Sequence, residues 1–355
     1  MGEQVRLGLL YLGSRPARRV IEIARFAEDR NYDIFWIPDE RFFREVYGLC
    51  TAVAGATANI LVGPCVTDPY TRHPALTAMA IATLDEISEG RAVLGLGAGV
   101  SGFAELGIKR QQVARRSSEA IHLIRRMLSG EDVEIHGDVL SFSGKLHFTP
   151  PRDDLPVYLA AGGPMMLRAG GMLANGVIIE GCVAPGTIER ARDVIDLGAS
   201  YVGRDPRSID IVARIDIAVD DSLEAAYDAL RPRVARKLIA AAPGFVTFLA
   251  RGLVVSEELR EMVADLDYTW EADVLEEIGR LLPDSFVDAF AVAATPDGLS
   301  ERLDHLVNRG ATQIIVNPIP TEGDAVEPAI EAVAAWRTAL GTPGEQDPGG
   351  APESA

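Results

Sequence analysis

Short apolar runs followed by helix-length amphipathic stretches recur along almost the whole chain, and this alternation restricts the fold more than any other feature. Residues 5–11 read as a buried strand, and 16–30 follow with Val20, Ile23, Ala24 and Ala27 on one helical face. The rhythm continues with strands at 33–37, 60–63 and 92–96, each followed by a helix, at 43–57, 73–88 and 111–128. In the 73–88 helix Pro74 suits the first turn, where its missing N–H is harmless. Leu76, Met79, Thr83, Leu84 and Ile87 are expected to point inward there. Further strands are expected at 157–161, 177–179, 208–219 and 312–316, with helices at 165–173, at 187–197 and from the last strand to about 340. Eight strand-then-helix units in one domain's length predict an α/β fold of the (β/α)8 TIM barrel type, with the loops after the strands building the site. A doubly wound open sheet is the competing architecture.

Two stretches interrupt the rhythm. Residues 134–148 look like a β-hairpin insertion, and 222–290 read as a helical insertion with no strand of its own. Residues 1–340 are therefore expected to form a single barrel domain, and the Gly/Pro/Glu-rich tail 341–355 to be disordered.

Composition removes several classes. No apolar run approaches the ~20 residues of a membrane span, and the N-terminal stretch enters a strand with no signal-peptide pattern. Cys50, Cys65 and Cys182 are scattered without CxxC spacing, which argues against a disulfide framework and fits a reducing cytoplasm. The five histidines form no HxH or HExxH pattern, so no metal site is expected. A net charge of -18 without a Lys/Arg cluster argues against nucleic acid as a partner. An anionic ligand would need local donors to overcome that background.

Four loops carry candidate chemistry. Asp39 and Glu40 directly follow the second strand, where barrel enzymes hold catalytic groups. Residues 64–73 follow the third strand; Cys65 lacks a His/Asn partner pattern and reads better as an inert buried thiol than as a nucleophile. Gly97–Gly102 matches GxGxxG, yet it follows the fourth strand and its helix starts late, so a glycine-lined ligand loop at a barrel mouth fits better than a dinucleotide fold. Ala160, Ala161, Gly162, Gly163 and Pro164 run from a strand into a helix, where small residues and free N–H groups suit a phosphate; a plain tight turn is the alternative. Gly176 offers another accessible amide.

Taken together, residues 63–99, beginning GPCVTDPYTRHP, resemble the luciferase-like flavin and deazaflavin oxidoreductases, and within them the methylene-tetrahydromethanopterin reductase-like branch. Residues 156–179 resemble that family's coenzyme segment, and FWIPDERFFREVYG (35–48) its second loop. The resemblance spans most of residues 5–340 and implies a bacterial luciferase-like (β/α)8 barrel with insertions. It implies coenzyme F420, an 8-hydroxy-5-deazaflavin, in the barrel mouth, with FMN as the alternative. It further implies hydride transfer at the deazaflavin C5 and a non-prolyl cis peptide at Cys65–Val66 against the ring. Asp39, Cys65, Val66, Thr67, Gly97, Gly99 and Ser101 match positions around the ring, and Ala160, Ala161, Gly162, Gly163, Gly176 and Val177 match the segment that holds the phosphate.

The chain also departs from the family pattern. Glu40 stands where relatives commonly have His, Arg44 where some have Trp, and Val100 where sugar-phosphate dehydrogenases have Glu. Glu40 then becomes the candidate acid/base and Asp39 a coenzyme contact with a catalytic part, unless Glu40 pairs with Arg41 or Arg44. Arg44 and Arg72 are candidate anion contacts. The expected activity is that of an F420-dependent oxidoreductase, reducing a C=C, C=N or C=O bond or running the reverse reaction, on a small-molecule or peptide-like organic substrate. An FMN-dependent monooxygenase and a non-catalytic flavin-binding protein are the alternatives, and a homodimer stays open.

Overall fold

The computed structural model describes residues 5–340 of the chain; the tail expectation for 341–355 lies outside the described residues. Eight parallel strands form the barrel wall: β1 (Arg6–Leu10), β2 (Ile34–Ile37), β3 (Leu61–Pro64), β4 (Leu94–Leu96), β7 (Val157–Ala160), β8 (Gly176–Glu180), β9 (Asp210–Val219) and β11 (Gln313–Pro318). The hydrogen-bonded order is β3-β2-β1-β11-β9-β8-β7-β4, and bridges Val62–Ala92 and Thr67–Leu96 join the two ends. Between them come β5 (Val133–His136) and β6 (Ser141–Gly144), a separate antiparallel hairpin, and β10 (Ala291–Ala294).

Helices α1 (Ala17–Asp29), α2 (Val46–Ala54), α3 (Pro74–Ile87), α4 (Val113–Leu128), α5 (Pro164–Leu173) and α6 (Thr187–Tyr201) surround the first strands. Helices α7 (Leu223–Ala241), α8 (Val246–Leu249), α9 (Glu257–Val263), α10 (Ala272–Arg280) and α11 (Asp284–Phe290) make the insertion after β9. Helices α12 (Leu299–Asn308) and α13 (Glu327–Leu340) complete the outer layer. The main core lies between helices and wall, while a smaller cluster of Leu10, Ile34, Trp36, Cys65, Val93, Tyr158, Ile178, Val212 and Ile315 fills the barrel interior. Trp36 and Tyr158 meet edge-on at 5.7 Å there. A third cluster beneath α7–α11 gives the insertion its own core. Among the described residues no helix is long and apolar enough to cross a membrane.

The seam between β3 and β4 depends on small residues. A Cβ on Gly63 would lie 1.7 Å from the Val93 carbonyl oxygen, and one on Gly95 2.4 Å from that of Pro64. Both obstacles are backbone, so no rotamer change relieves them.

Three expectations need correction. Ala291–Ala294 is a strand that the pattern reading omitted: β10 pairs in parallel with residues 216–219 of β9, beyond the point where β8 ends. The second helix is shorter than 43–57, starting at Val46 with the Glu45 carboxylate accepting from Gly48 N–H at 2.7 Å. The inward face of α3 consists of Ala75, Ala78, Ile81, Ala82 and Leu84, whereas Leu76, Met79, Thr83 and Ile87 are exposed. This helix is apolar nearly all round, so periodicity gives little direction. The small residues let it approach the wall closely, which turns the bulkier ones outward. Pro74 does occupy its first turn, capped by His73 Nδ1 accepting from Ala75 N–H at 3.2 Å.

The seam yields a stability contrast. Gly63→Ala should lower unfolding free energy by about 3 kcal/mol or more, since the barrel must open to admit the methyl group. Gly162→Ala should leave it within about 0.5 kcal/mol, because nothing lies within 4 Å of a Cβ there. Urea unfolding of both variants checks this; equal stabilities would contradict the account of the seam.

Candidate active site

The C-terminal ends of the barrel strands open into a cavity of about 460 Å³, roofed by α7 and the loops of the insertion. Leu10, Cys65 and Ile178 belong both to the interior cluster and to the cavity floor. The Cys65–Val66 bond is cis, and so is Arg41–Phe42, which was not anticipated. Burial pushes the Cys65 thiol up to about 12, consistent with an inert group at neutral pH.

On the β2–β4 side, Arg41, which the sequence offered only as a partner for Glu40, ties three loops together. Arg41 Nη1 donates to Asp39 Oδ1 at 2.6 Å, and its Nη2 donates to Asp68 Oδ2 at 2.5 Å and to the Thr71 hydroxyl. The Arg41 N–H also donates to Ser101 Oγ at 3.2 Å. Thr67 is fully buried and does not line the cavity; its hydroxyl donates to Asp39 Oδ2 at 2.7 Å. Burial raises the pKa of Asp39 above the ordinary carboxylate value, with Arg41 and Thr67 opposing the shift. Gly97 packs against Val66 and Ala160 outside the cavity, whereas Gly99 lines it with φ at +65°.

Glu40 lines the cavity and pairs with neither nearby arginine. Its Oε1 accepts from Trp270 Nε1 at 3.0 Å, a contact from the insertion 230 positions away. Arg44 donates instead to the carbonyls of Gly13 and Ser14, and Arg72 to Glu45, so neither faces a ligand as an open anion contact.

On the β7–β8 side, Ala160, Ala161 and Gly162 line the cavity, and Gly163 begins α5 with no atom within 4 Å of its Cβ position. No side chain caps α5, which leaves first-turn N–H groups open to an anion. Gly176 and Val177 lie elsewhere: they start β8 at the opposite end of the barrel, where a Cβ on Gly176 would press on Tyr158 and Asp210. Ligand-facing positions come from strand C-termini, so these two do not reach the cavity.

The floor beneath α7 holds an ionic network. Asp216 is 1% exposed, accepts from Asn317 Nδ2 at 2.6 Å and from Arg214 Nη1 at 3.2 Å, and forms ion pairs with Arg214 Nη2 at 3.1 Å and Lys237 at 3.2 Å. Glu180 accepts from Arg214 at 2.7 Å and from Lys237. Burial alone would raise both carboxyl groups, but Arg214 and Lys237 outweigh it and hold them below the usual range. One signal for these groups was present. In β9, Ile211, Ala213, Ile215 and Ile217 face the helices, so Arg214 and Asp216 point to the other face, which in a barrel is interior.

The family model described as luciferase-like monooxygenase matches residues 4–313. The chain belongs to this family. A relative from Methanolobus tindarius, named 5,10-methylenetetrahydromethanopterin reductase, is 34% identical over 327 residues, covering 90% of this chain and 97% of the relative. A protein of the same name from Archaeoglobus fulgidus is 35% identical over 293 residues, covering 82% and 86%. The solved structure of the coenzyme F420-dependent tetrahydromethanopterin reductase from Methanopyrus kandleri superposes with a TM-score of 0.81 at 28% identity, covering 93% of this chain and 97% of that one. The luciferase-like barrel expected from the sequence is thus the fold observed.

The network predicts a pH signature. A carboxylate whose folded pKa is depressed adds stability that is complete above its unfolded value, near 3.9, and is lost as pH falls toward the folded value. Asp216→Asn, which strands two cations on one remaining carboxylate, should cost about 3 kcal/mol or more at pH 7. The deficit should shrink at pH 3, where the wild type has lost part of that contribution. Denaturant midpoints at both pH values read it, and a deficit of the same size at each would contradict the network's role.

Proposed function

We propose that this chain reduces an organic substrate at a C=C, C=N or C=O bond, using the mouth cavity as its coenzyme F420 site. It is an F420-dependent oxidoreductase of the luciferase-like barrel type. The observation that carries the reading is a cavity whose residues suit a flat, anionic coenzyme. An apolar floor of Leu10, Cys65, Val66 and Ile178 can underlie a ring, and at one end Gly162 and Gly163 leave open the space that side chains would fill. The uncapped start of α5 adds N–H donors for a phosphate there. The relatives' name, with its reductase activity, supports the direction.

When bound, reduced F420 supplies the hydride from C5. The residues of the chain then have separable parts. Cys65, Val66, Gly99 and Ser101 line the ring end, and Ala160, Ala161, Gly162 and Gly163 hold the phosphate. Asp39 contacts the coenzyme, kept in place by Arg41 and Thr67. Glu40 gives the proton that completes reduction, with its carboxyl oriented by Trp270 Nε1–H. The insertion roofs the cavity and keeps water from the reacting atoms. The half-exposed stripe of Leu76, Met79 and Ile87 on α3 supports pairing of two copies of the chain, and the compartment in this reading is the cytoplasm.

Fluorescence titration with F420 and FMN tests the coenzyme assignment. F420 should bind more tightly, and Gly163→Asp should weaken it at least about tenfold, ~1.4 kcal/mol, by placing a carboxylate where the phosphate sits. FMN binding tenfold tighter than F420, with oxygen uptake, would mean a monooxygenase instead. Glu40→Gln keeps shape but not the exchangeable proton. It should leave F420 affinity within about twofold and reduce turnover by ~10²–10⁴-fold; near wild-type turnover would reduce Glu40 to scaffolding.

A further inference from the structure

Six cations line the cavity, in a chain whose net charge is -18. Four of them have at least one acceptor within the protein. Arg110 donates to the Gly99 carbonyl at 2.5 Å, and Arg251 to the carbonyls of Glu180, Gly181 and Thr247 at 2.6–3.0 Å. Arg214 and Lys237 are taken up by Glu180 and Asp216. Arg233 and Arg236 differ: among the described residues neither has a hydrogen-bond acceptor. The Arg236 guanidinium lies 3.5 Å from the centre of the Trp270 ring, and its Nη1 is buried without a partner. Arg233 approaches the same ring at 5.8 Å.

Guanidinium groups turned into a cavity without acceptors are costly unless a ligand satisfies them. The nearby carboxylates are engaged elsewhere: Asp216 attracts Arg233 through space but its oxygens are taken by Arg214, Asn317 and Lys237, Glu180 is held by Arg214 and Lys237, and Glu40 accepts from the Trp270 indole. The phosphate segment at Gly162–Gly163 lies on the β7–β8 side, whereas Arg236 stacks beside the Trp270 that reaches Glu40. We propose that Arg233 and Arg236 bind an anionic group, carboxylate or phosphate, of the organic substrate, so that the acceptor of this enzyme is a small organic anion. The inference rests on the reading of the cavity as the F420 site and adds the class of substrate it takes. Planar guanidinium forks suit either oxyanion in bidentate fashion, and the Trp270 face keeps Arg236 flat and preoriented. Burial pulls Arg233 down to about 10, which a seated anion would counter.

Calorimetric titration with benzoate, phenyl phosphate and uncharged benzamide, each with and without F420, tests the proposal. At least one anion should bind tenfold or more tightly than benzamide, and the stronger of the two identifies the oxyanion. Arg236→Met and the double variant Arg233→Met/Arg236→Met should reduce that preference below twofold, while Arg236→Lys should retain threefold or more, with thermal unfolding confirming that each variant folds. F420 affinity should change by less than twofold. Benzamide binding as tightly as both anions, or a preference that survives the double variant, would overturn the proposal. A tenfold loss of F420 affinity in the double variant would also overturn it, because the arginines would then belong to the coenzyme. Failure of wild-type protein to bind F420 would count against the coenzyme assignment alone, since the anion titrations are read without it.

Discussion

Asp216 joins the barrel to its roof. Its carboxylate is removed from water and meets Arg214 on its own strand, Asn317 on β11 and Lys237 on α7. An unpaired carboxylate at that depth would be strongly unfavourable, and removing one member of such a set leaves the others uncompensated. The network therefore fixes α7 over the strand ends. Through α7 it fixes Arg233 and Arg236, and the stack of Arg236 on Trp270 extends the same constraint to Glu40. A chain of contacts thus runs from a strand in the wall to the candidate proton donor.

The opposite side of the cavity has a comparable centre in Arg41. It joins Asp39, Asp68 and Thr71 through its side chain and Ser101 through its backbone, which brings the loops after β2, β3 and β4 to one point. Each carboxylate is satisfied by short, charge-assisted bonds. The cavity is consequently bounded by two rigid ionic assemblies with an apolar floor between them. Such preorganisation is what a site needs to hold a flat coenzyme at fixed distance from a substrate.

The architecture was legible because strand and helix periods alternate, and because one loop pattern after another matched a known family. Legibility failed where period carries no information. Ala291–Ala294 is a short strand directly after a helix, with no alternating pattern to separate the two, and α3 is apolar nearly all round, so its true inner face followed from close approach rather than hydrophobicity. In the site, Asp39, Glu40 and the 160–163 loop stood out because they follow buried strands. Gly176 and Val177 were carried over by resemblance, but their place at the start of β8 removes them from the cavity. The Glu40–Trp270 contact joins residues too distant for any local pattern, and so do the contacts between α7 and the strand ends. Arg214 and Asp216 were readable in principle, since charges on the interior face of a barrel strand must serve a partner or a ligand.

In the proposed function the cavity has two ends, one for the coenzyme and one for the substrate. A crystal structure of the protein with F420 bound tests it most directly. The deazaflavin ring should lie against Cys65–Val66, the phosphate at Gly162–Gly163 and the first turn of α5, and Arg233 and Arg236 should be free of the coenzyme. A coenzyme phosphate held by Arg233 and Arg236, with the 160–163 loop empty, would contradict it.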